Sequence, residues 1–530
     1  MAFITKPARV ILAATATAAV IALSACTSPS SGAGDGDVVE GGTFTLAIVS
    51  DPGTLDPQAS AVTSLFQLTQ FAYDTLVSVD EEGTIGSQLA TEWEVDGTTA
   101  TFTLTEGVTC SDGSEFTAKT AAENIAWISD PENQSPFLGA FLPGGVTAAA
   151  EGDTLTLTLA SPAPFLLTGL ASVPMVCEAG LADRSDLAAG TIGSGPYELT
   201  EAVPNDHYTY TVRGDYTWGP DGATTAEKGV PAVVNVRIIP NETTAANLLL
   251  SGEISAATVI GPDTERLDQA GLFATKITTI VGEQWYNHNE GHPTSDPAVR
   301  MALTQALDLA ELQKVATSGK GEPATALAVS PPAGCTFDSV TGNVPETDVD
   351  AAKAALDTAG WLAGSDGVRA KDGQKLSLTF LYSTNLGSGG TAAAELAITQ
   401  WQAIGAEVTA QGQDESTLTG ALFGTGAWDI GWVPLNVNTP DQVIGFISGP
   451  SAPEGTNFSN IQNDDYAALM EEAMAMNGSD GCPTWAEAEA ALFSAADLVP
   501  FANNLVKTYA KGAEFENIGS IVPTSIRMVS

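Results

Sequence analysis

Basic residues are scarce in this chain. Nineteen Lys and Arg stand against 64 Asp and Glu, a formal net charge of −45. Such a surface repels phosphate backbones, which argues against nucleic-acid binding. Histidine is rarer still, at three residues. His288 and His292 have i, i+4 spacing, but Gly291 and Pro293 oppose a helix that would present both. His207 lies far off in sequence, so no metal site is expected. Charged residues make up only 16% of the chain, whereas Gly and Pro number 53 and 29. That is a loop-rich globular composition, neither fibrous nor mainly disordered. No run of about 18 apolar residues follows the N-terminal leader, so no later segment is long enough to cross a bilayer as a helix. The patterns G-x-S-x-G, H-E-x-x-H and G-x-x-x-x-G-K-[ST] are absent. With them go the lipase-type nucleophile elbow, the zinc-protease helix and the phosphate loop of an ATPase.

What is present begins with an export signal. Residues 1–9 carry Lys6 and Arg9 and no acid, and residues 10–22 are nearly all Ala, Val, Ile, Leu and Thr. A basic start followed by a short apolar run is a signal peptide, not a membrane span. It ends at Leu23-Ser24-Ala25-Cys26, which resembles the lipobox of bacterial lipoproteins. The resemblance implies removal of residues 1–25 and a diacylglyceryl group on Cys26. Two acyl chains make a stable anchor where one is marginal. Residues 27–42, TSPSSGAGDGDVVEGG, have almost no bulky apolar side chain and read as a flexible tether.

Five cysteines fit an oxidising compartment. With Cys26 lipidated, Cys110, Cys177, Cys335 and Cys482 remain, and counting leaves three connectivities open. None lies in a C-x-x-C spacing.

Strands and helices alternate along the body. TFTLAIV at 43–49 alternates and is rich in β-formers, and SDPGTLDP at 50–57 is a turn-rich loop. Strands are expected at 91–95, 99–104, 154–159 and 406–410. Helices are expected at 65–76, 117–128, 351–359, 391–404, 465–476 and 485–496, with Thr117 and Asp296 as N-caps and Pro297 at a first helical position. The class is therefore α/β.

The first half carries Ser50-Asp51-Pro52-Gly53-Thr54-Leu55-Asp56-Pro57, Leu89-Ala90-Thr91-Glu92-Trp93-Glu94, Asp112-Gly113-Ser114-Glu115-Phe116-Thr117-Ala118 and Ile192-Gly193-Ser194-Gly195-Pro196-Tyr197. In this order they resemble the large extracytoplasmic solute-binding proteins of ABC importers, solute-binding family 5, which includes oligopeptide- and dipeptide-binding proteins. They are similar to that family's opening loop, its "LA-x-x-W" hairpin, its "DG-x-x-F-T-A" turn and its "GTGPY" turn. Asp215-Tyr216-Thr217-Trp218-Gly219 fits "DYWG" with one insertion, and Leu248-Leu249-Leu250-Ser251-Gly252-Glu253-Ile254 fits its "GE" step. Asp296-Pro297-Ala298-Val299-Arg300 opens a helix like "DPRVR", and Ala359-Gly360-Trp361 matches "AGW". Most of these motifs build scaffold and say little about cargo.

The resemblance implies a two-lobed, periplasmic-binding-protein-like fold with a hinge (class II type, large peptide-binding subgroup). Lobe I is expected to hold 43–240 plus 497–530, and lobe II 241–496. The crossings are expected near Ile239-Pro240-Asn241 and Val499-Pro500-Phe501. Pairing within lobes then gives Cys110–Cys177 and Cys335–Cys482. The expected function is capture of a peptide or similar polar solute between the lobes and delivery to an ABC permease and ATPase complex. The protein is expected to be a monomer on the outer face of the cell membrane, held by its lipid alone, with no cofactor and no catalytic residue. A secreted, glycosidase-like hydrolase and a surface adhesin are the alternatives.

Ligand contacts follow from the same resemblance. Ser50, Asp51 and Pro52 lie in the opening loop. Trp285, Tyr286 and Asn287 lie in the strand before the "DPRVR"-like helix, and Trp428 and Trp432 begin the segment that lines the cleft in relatives. For Trp428 and Trp432 ligand contact and core packing both stand open. Trp93, Trp127, Trp361, Trp401 and Trp485 read as core or helix-face residues. Many peptide-binding relatives have "DYPDP" where this chain has Asn438-Thr439-Pro440-Asp441-Gln442. Asn438 thus replaces the acid that pairs with a peptide ammonium, and a neutral amide cannot supply that charge-assisted bond. Either Asp441 or Asp51 supplies the charge, or the ligand is a blocked peptide, an oligosaccharide or another polar solute. Asn436 and Asn438 beside tryptophans also suit a sugar.

Overall fold

The computed structural model describes residues 37–60, 62–452 and 454–530. The leader, Cys26 and most of the tether lie outside them. Among the described residues no helix is long and apolar enough to cross a membrane.

Ten strands, numbered here within their own sheet, form one mixed β-sheet: β1 Thr43–Ile48, β2 Tyr197–Val203, β3 His207–Val212, β4 Val233–Ile238, β5 Ala256–Val259, β6 Phe273–Tyr286, β7 Ser377–Ser383, β8 Glu407–Gln413, β9 Ile430–Trp432 and β10 Leu498–Ala510. Their spatial order is β8-β7-β9-β6-β10-β5-β1-β4-β3-β2. The alternation read at the start of the body is real: Phe44 and Leu46 of β1 point into the core. β1 runs parallel to β4, Thr43 opposite Val233 and Ile48 opposite Ile238, and parallel to β5 on its other side.

Two strands are far longer than the rest. β6 has 14 residues and β10 has 13. At about 3.3 Å per residue, 14 residues reach about 45 Å, long enough to belong to two cores. They pair antiparallel from Phe273 opposite Ala510 to Trp285 opposite Leu498, with the register shifting between Ile280 and Glu283. At one end Phe273 and Ala510 meet Phe44, Phe515 and Tyr210. At the other, Tyr286, Val499, Phe501 and Ala502 join Phe380, Trp401 and Trp432.

The first half of the molecule adds a four-stranded antiparallel sheet, in the order Ala90–Asp96, Thr99–Leu104, Thr154–Thr158 and Thr147–Glu151. The helix Ala118–Ser129 packs on it through Ala121, Ile125 and Ile128. Thr117 is its N-cap, accepting from the Thr120 N–H, and the helix stops before Pro131. Cys110–Cys177 staples this half and Cys335–Cys482 the other, with Cα separations of 6.3 and 5.6 Å.

The expected first crossing is displaced. Pro240 ends β4, and Asn241 then caps the helix Glu242–Ser251 by accepting from the Thr244 N–H at 2.8 Å. That helix turns back, so that Ala245, Ala246 and Leu249 pack with Ala47 and Ile239, and β5 follows beside β1. Residues 241–272 therefore lie with the first half, not in lobe II. The chain passes between cores inside β6 and returns inside β10, where Pro500 faces Glu283.

Asp296 caps the helix Pro297–Gln305 as read, accepting from the Ala298 N–H at 3.0 Å. The arginine of that motif has a tertiary role. Arg300 Nη2 donates to Asp497 Oδ1 at 2.8 Å, and Asn463 donates to the other carboxylate oxygen at 2.8 Å. Both members of the pair are buried. Arg300→Ala leaves the Asp497 carboxylate inside without its counter-charge. Urea unfolding should show a loss of about 3–5 kcal/mol. A loss under about 1 kcal/mol would mean that the pair behaves like a surface ion pair.

Candidate functional site

Between the two halves lies a cavity of about 620 Å³. The first half contributes Phe66, Tyr73, Asp74, Gln88 and Tyr216, and the C-terminal segment adds residues from Glu516 to Arg527. Ile277, Thr278 and Thr279 of β6 also border it, and Ser330, Pro331, Pro332, Asn436 and Asn438 close it from the second half. A volume of this order suits a small organic molecule.

Asp74 organises the first wall, and sequence reading did not single it out. Its Oδ1 accepts from Tyr216 Oη at 2.8 Å and Gln88 Nε2 at 2.8 Å. Its Oδ2 accepts from Ser194 Oγ at 2.8 Å and Trp218 Nε1 at 3.0 Å. Burial pushes its carboxyl pKa up, and these four donors offset part of that shift. Ser194 comes from the Gly-Ser-Gly-Pro turn and Tyr216 and Trp218 from the DYTWG segment, while Gln88 precedes the LATEW strand. The glycines of the turn are required by close approach. A Cβ at Gly193 would sit 2.2 Å from the Ala72 carbonyl oxygen, and one at Gly195 2.4 Å from the Ala72 carbonyl carbon.

The second wall is fastened to the long strand. Asn436 Oδ1 accepts from the Ile280 N–H at 2.9 Å, and its Nδ2 donates to the Ile280 carbonyl at 3.4 Å. Asn438 Nδ2 donates to the carbonyls of Ser330 at 3.1 Å and Pro331 at 2.8 Å. An aspartate at 438 has no donor for those carbonyls, which gives the amide a structural reason. Asp441 lies in an adjoining pocket of about 110 Å³ that shares Phe141, Ser172, Pro332 and Asn438 with the main cavity. Burial pushes the Asp441 carboxyl up, against a hydrogen bond from the Thr439 hydroxyl. The halves touch directly here: Gly478 N–H donates to the Pro164 carbonyl at 2.9 Å and Gln442 Nε2 to the Ala140 carbonyl at 3.0 Å.

Asn436 and Asn438 thus border the cavity, Asp441 lies in the adjoining pocket, and the other expected contacts lie elsewhere. Ser50, Asp51 and Pro52 are not in its walls. The Asp51 carboxylate accepts from Asn205 N–H at 2.6 Å, Tyr208 Oη at 2.8 Å and Gly53 N–H at 2.8 Å, securing its loop to the β2–β3 hairpin. Partial burial pushes its pKa up, but these bonds outweigh it and hold the carboxyl below its usual value. Trp285, Tyr286, Asn287, Trp428 and Trp432 are core residues. Trp285 donates to the Val433 carbonyl at 3.0 Å and Trp432 to Gln284 at 3.0 Å. Asn287 Nδ2 donates to the Trp428 carbonyl at 2.8 Å. These side chains pack in the core around the place where β9 pairs with β6 and are not in the cavity walls.

Two buried acids were also missed. Glu283, just past the register shift, accepts from the Leu435 N–H at 2.7 Å, and its Oε1 has no partner among the described residues. Burial pushes its carboxyl up to about 8. Glu489 accepts from Ser339 Oγ at 2.6 Å and the Leu327 N–H at 3.2 Å, and burial pushes it up to about 7.

With that geometry in view, the chain can be set beside known proteins. The family model described as "Bacterial extracellular solute-binding proteins, family 5 Middle" matches residues 84–452. Protein XP55 of Streptomyces lividans is 28% identical over 387 residues, which is 70% of this chain and 67% of that one. The nickel-binding periplasmic protein of Escherichia coli K12 is 28% identical over 393 residues, 71% and 72% of the two chains. A substrate-binding protein from Microbacterium hydrocarbonoxydans, solved with 4-hydroxybenzoate hydrazide, superposes with a TM-score of 0.67 at 26% identity. That likeness covers 92% of this chain and 100% of the other.

The raised acids give stability a pH dependence of definite sign. Between about pH 4.3 and their folded values of about 8 and 7, Glu283 and Glu489 stay protonated in the folded state and are ionised in the unfolded one. Their contribution is fully present below about pH 4.3 and is lost as pH rises through about 7 to 8. His288, held neutral by burial with a pKa near 3, acts in the opposite sense below about pH 6.5, so the test belongs above it. Between about pH 6.5 and 8.5 the melting temperature should fall, and Glu283→Gln should flatten that fall. An unchanged slope in the variant would show that Glu283 does not titrate there.

Proposed function

The chain belongs to the bacterial extracellular solute-binding proteins, family 5, and we propose that it is the substrate-binding lipoprotein of an ABC importer. It captures a peptide-like or other polar solute between its lobes and presents the closed form to a membrane permease and its ATPase. The observation that carries this reading is the cavity itself, whose walls come from both halves and meet at β6. A ligand there touches both walls at once. It therefore binds the closed arrangement better than any open one, and shifts the population by that difference.

The proposed lobes run from residue 43 into β6, and from there to β10, after which the chain rejoins the first lobe. Asn436 and Asn438 are the proposed second-lobe contacts, with Asp441 at the end of the side pocket. Tyr73, Gln88 and Tyr216 face them from the first lobe. The family match favours solute binding over a glycosidase-like or adhesin role, and no catalytic residue is assigned. Cys26, with its leader and tether, is the proposed anchor to the outer face of the membrane, and the protein acts as a monomer.

Two measurements test this. A bound solute at about 100 times its Kd should add about 2.7 kcal/mol of stability and leave the solute chemically unchanged. Turnover of any bound solute would overturn the reading. Separately, labelled fatty acid should enter the protein in a bacterial host, and Cys26→Ser should abolish the label and release the protein from the membrane. Retention of the label in that variant would refute the anchor.

A further inference from the structure

Charge in the cavity is one-sided. Its walls include the carboxylates of Asp74, Asp80, Asp221, Glu227 and Glu516, and the basic side chain of Arg527 alone. Arg527 is already engaged. Its guanidinium pairs with Glu227 and donates to the carbonyls of Thr524 at 2.7 Å and Ile526 at 3.0 Å. Among the described residues, Asp74, Asp80, Asp221 and Glu516 have no Lys, Arg or His within ion-pair distance.

Two of these carboxylates are held in place by backbone. Asp80 Oδ1 accepts from the N–H groups of Glu82 at 3.0 Å and Thr84 at 2.7 Å. Asp221 Oδ1 accepts from the Ser87 N–H at 3.1 Å. Asp221 does so from a left-handed conformation, φ 51°, which Asp and Asn tolerate better than most residues. Room for its carboxylate comes from Gly86, where a Cβ would lie 2.7 and 2.9 Å from the two oxygens. The surroundings feel the concentration of charge. The Glu81 carboxyl is pushed up, first by partial burial and then by the negative charges of Glu516, Glu82 and Asp80.

We propose that the solute carried in this cavity is a small organic cation, an ammonium or guanidinium compound, whose charge is read by Asp80 and Asp221 on the first-lobe wall. The proposal rests on the solute-binding reading and deepens it. An anion in this cavity meets the exposed carboxylates of Asp80, Asp221 and Glu516, none of which has a counter-charge among the described residues. A cation replaces its water with charge-assisted hydrogen bonds to carboxylates that are already positioned. The amide at Asn438 then makes sense, because the positive group is met on the opposite wall.

The test uses the mature protein and three matched sets of probes. The cations are spermidine, agmatine and glucosamine, the neutral counterparts are spermidine acetylated on all three nitrogens and N-acetylglucosamine, and the anions are citrate and glutarate. Thermal shift finds binders and calorimetry measures Kd at low and moderate salt. Stabilisation should be confined to cations. Acetylation that removes all positive charge, on the three nitrogens of spermidine or the amine of glucosamine, should weaken binding by at least about tenfold, and added salt should weaken a cation several-fold. Asp221→Asn keeps the left-handed turn and should weaken a cation about three- to tenfold. Asp80→Asn does the same from a separate turn. Glu92→Gln, which removes one negative charge from the exposed strand Ala90–Asp96 outside the cavity, should leave Kd unchanged. A neutral or anionic probe that binds equally well in wild type and in both variants overturns the charge assignment and leaves solute binding intact. Failure of every probe in all three sets counts against both.

Discussion

The fold hangs on one pair of strands. β6 and β10 are hydrogen-bonded from Phe273–Ala510 to Trp285–Leu498, and each contributes side chains to two separate cores. A change in the relation between halves must be taken up along this pair, because the main sheet has no other strand that enters both. The register shift between Ile280 and Glu283 marks the place where the ladder is already interrupted. Three backbone groups at that place and in the loop beyond it are tied together: Asn436 brackets the N–H and C=O of Ile280, and Glu283 takes the N–H of Leu435. The loop that supplies Asn436 and Asn438 to the cavity is therefore fastened to β6, one of the two strands that run through both halves.

A second convergence ties together motifs scattered over the first half. Gln88, Ser194 and the DYTWG segment that carries Tyr216 and Trp218 lie far apart in sequence, yet all four side chains donate to Asp74. A buried carboxylate with no cationic partner is tolerable only if its oxygens are saturated with donors. Each donor fixes the segment that carries it: the turn at Gly193–Pro196, the DYTWG segment and the residue before the first hairpin. Removing one donor loosens a segment and also leaves a charge less satisfied, so these pieces of sequence are bound to one another through a residue that belongs to none of the motifs.

That is also where sequence reading stops. Local rules placed β1, the hairpin strands, the Thr117 and Asp296 caps and the helices of the second half, because caps, prolines and alternation act within a few residues. The lobe argument paired the four cysteines as they are bonded. Long-range facts were not legible. Pro240 looks like a hinge because it interrupts a strand, but the next element is a capped helix that returns to β1. Trp285, Trp428 and Trp432 sit beside loop segments in sequence, and only the pairing of β9 with β6 turns them into core. Glu283 and Glu489 look like two surface acids among 64. Nothing local distinguishes an acid that will be buried without a counter-charge from one that will face water.

The scarcity of basic residues decides where positive charge can go. Arg300 holds Asp497 and the carbonyls of Thr294 and Ser295. Arg369 reaches Asp357 and the carbonyls of Ile404 and Trp361. Arg184 grips Asp56 and Gln58 while lying 3.5 Å over the Trp127 ring. A guanidinium can satisfy several acceptors from one fixed fork, which a single ammonium does less well. These arginines therefore serve best as internal clamps, where carbonyls and carboxylates have lost their water. In a chain with 19 basic residues, each one placed inside is unavailable to the cavity. The negative sign of the cavity follows from the way the core is fastened as much as from the acids on its rim.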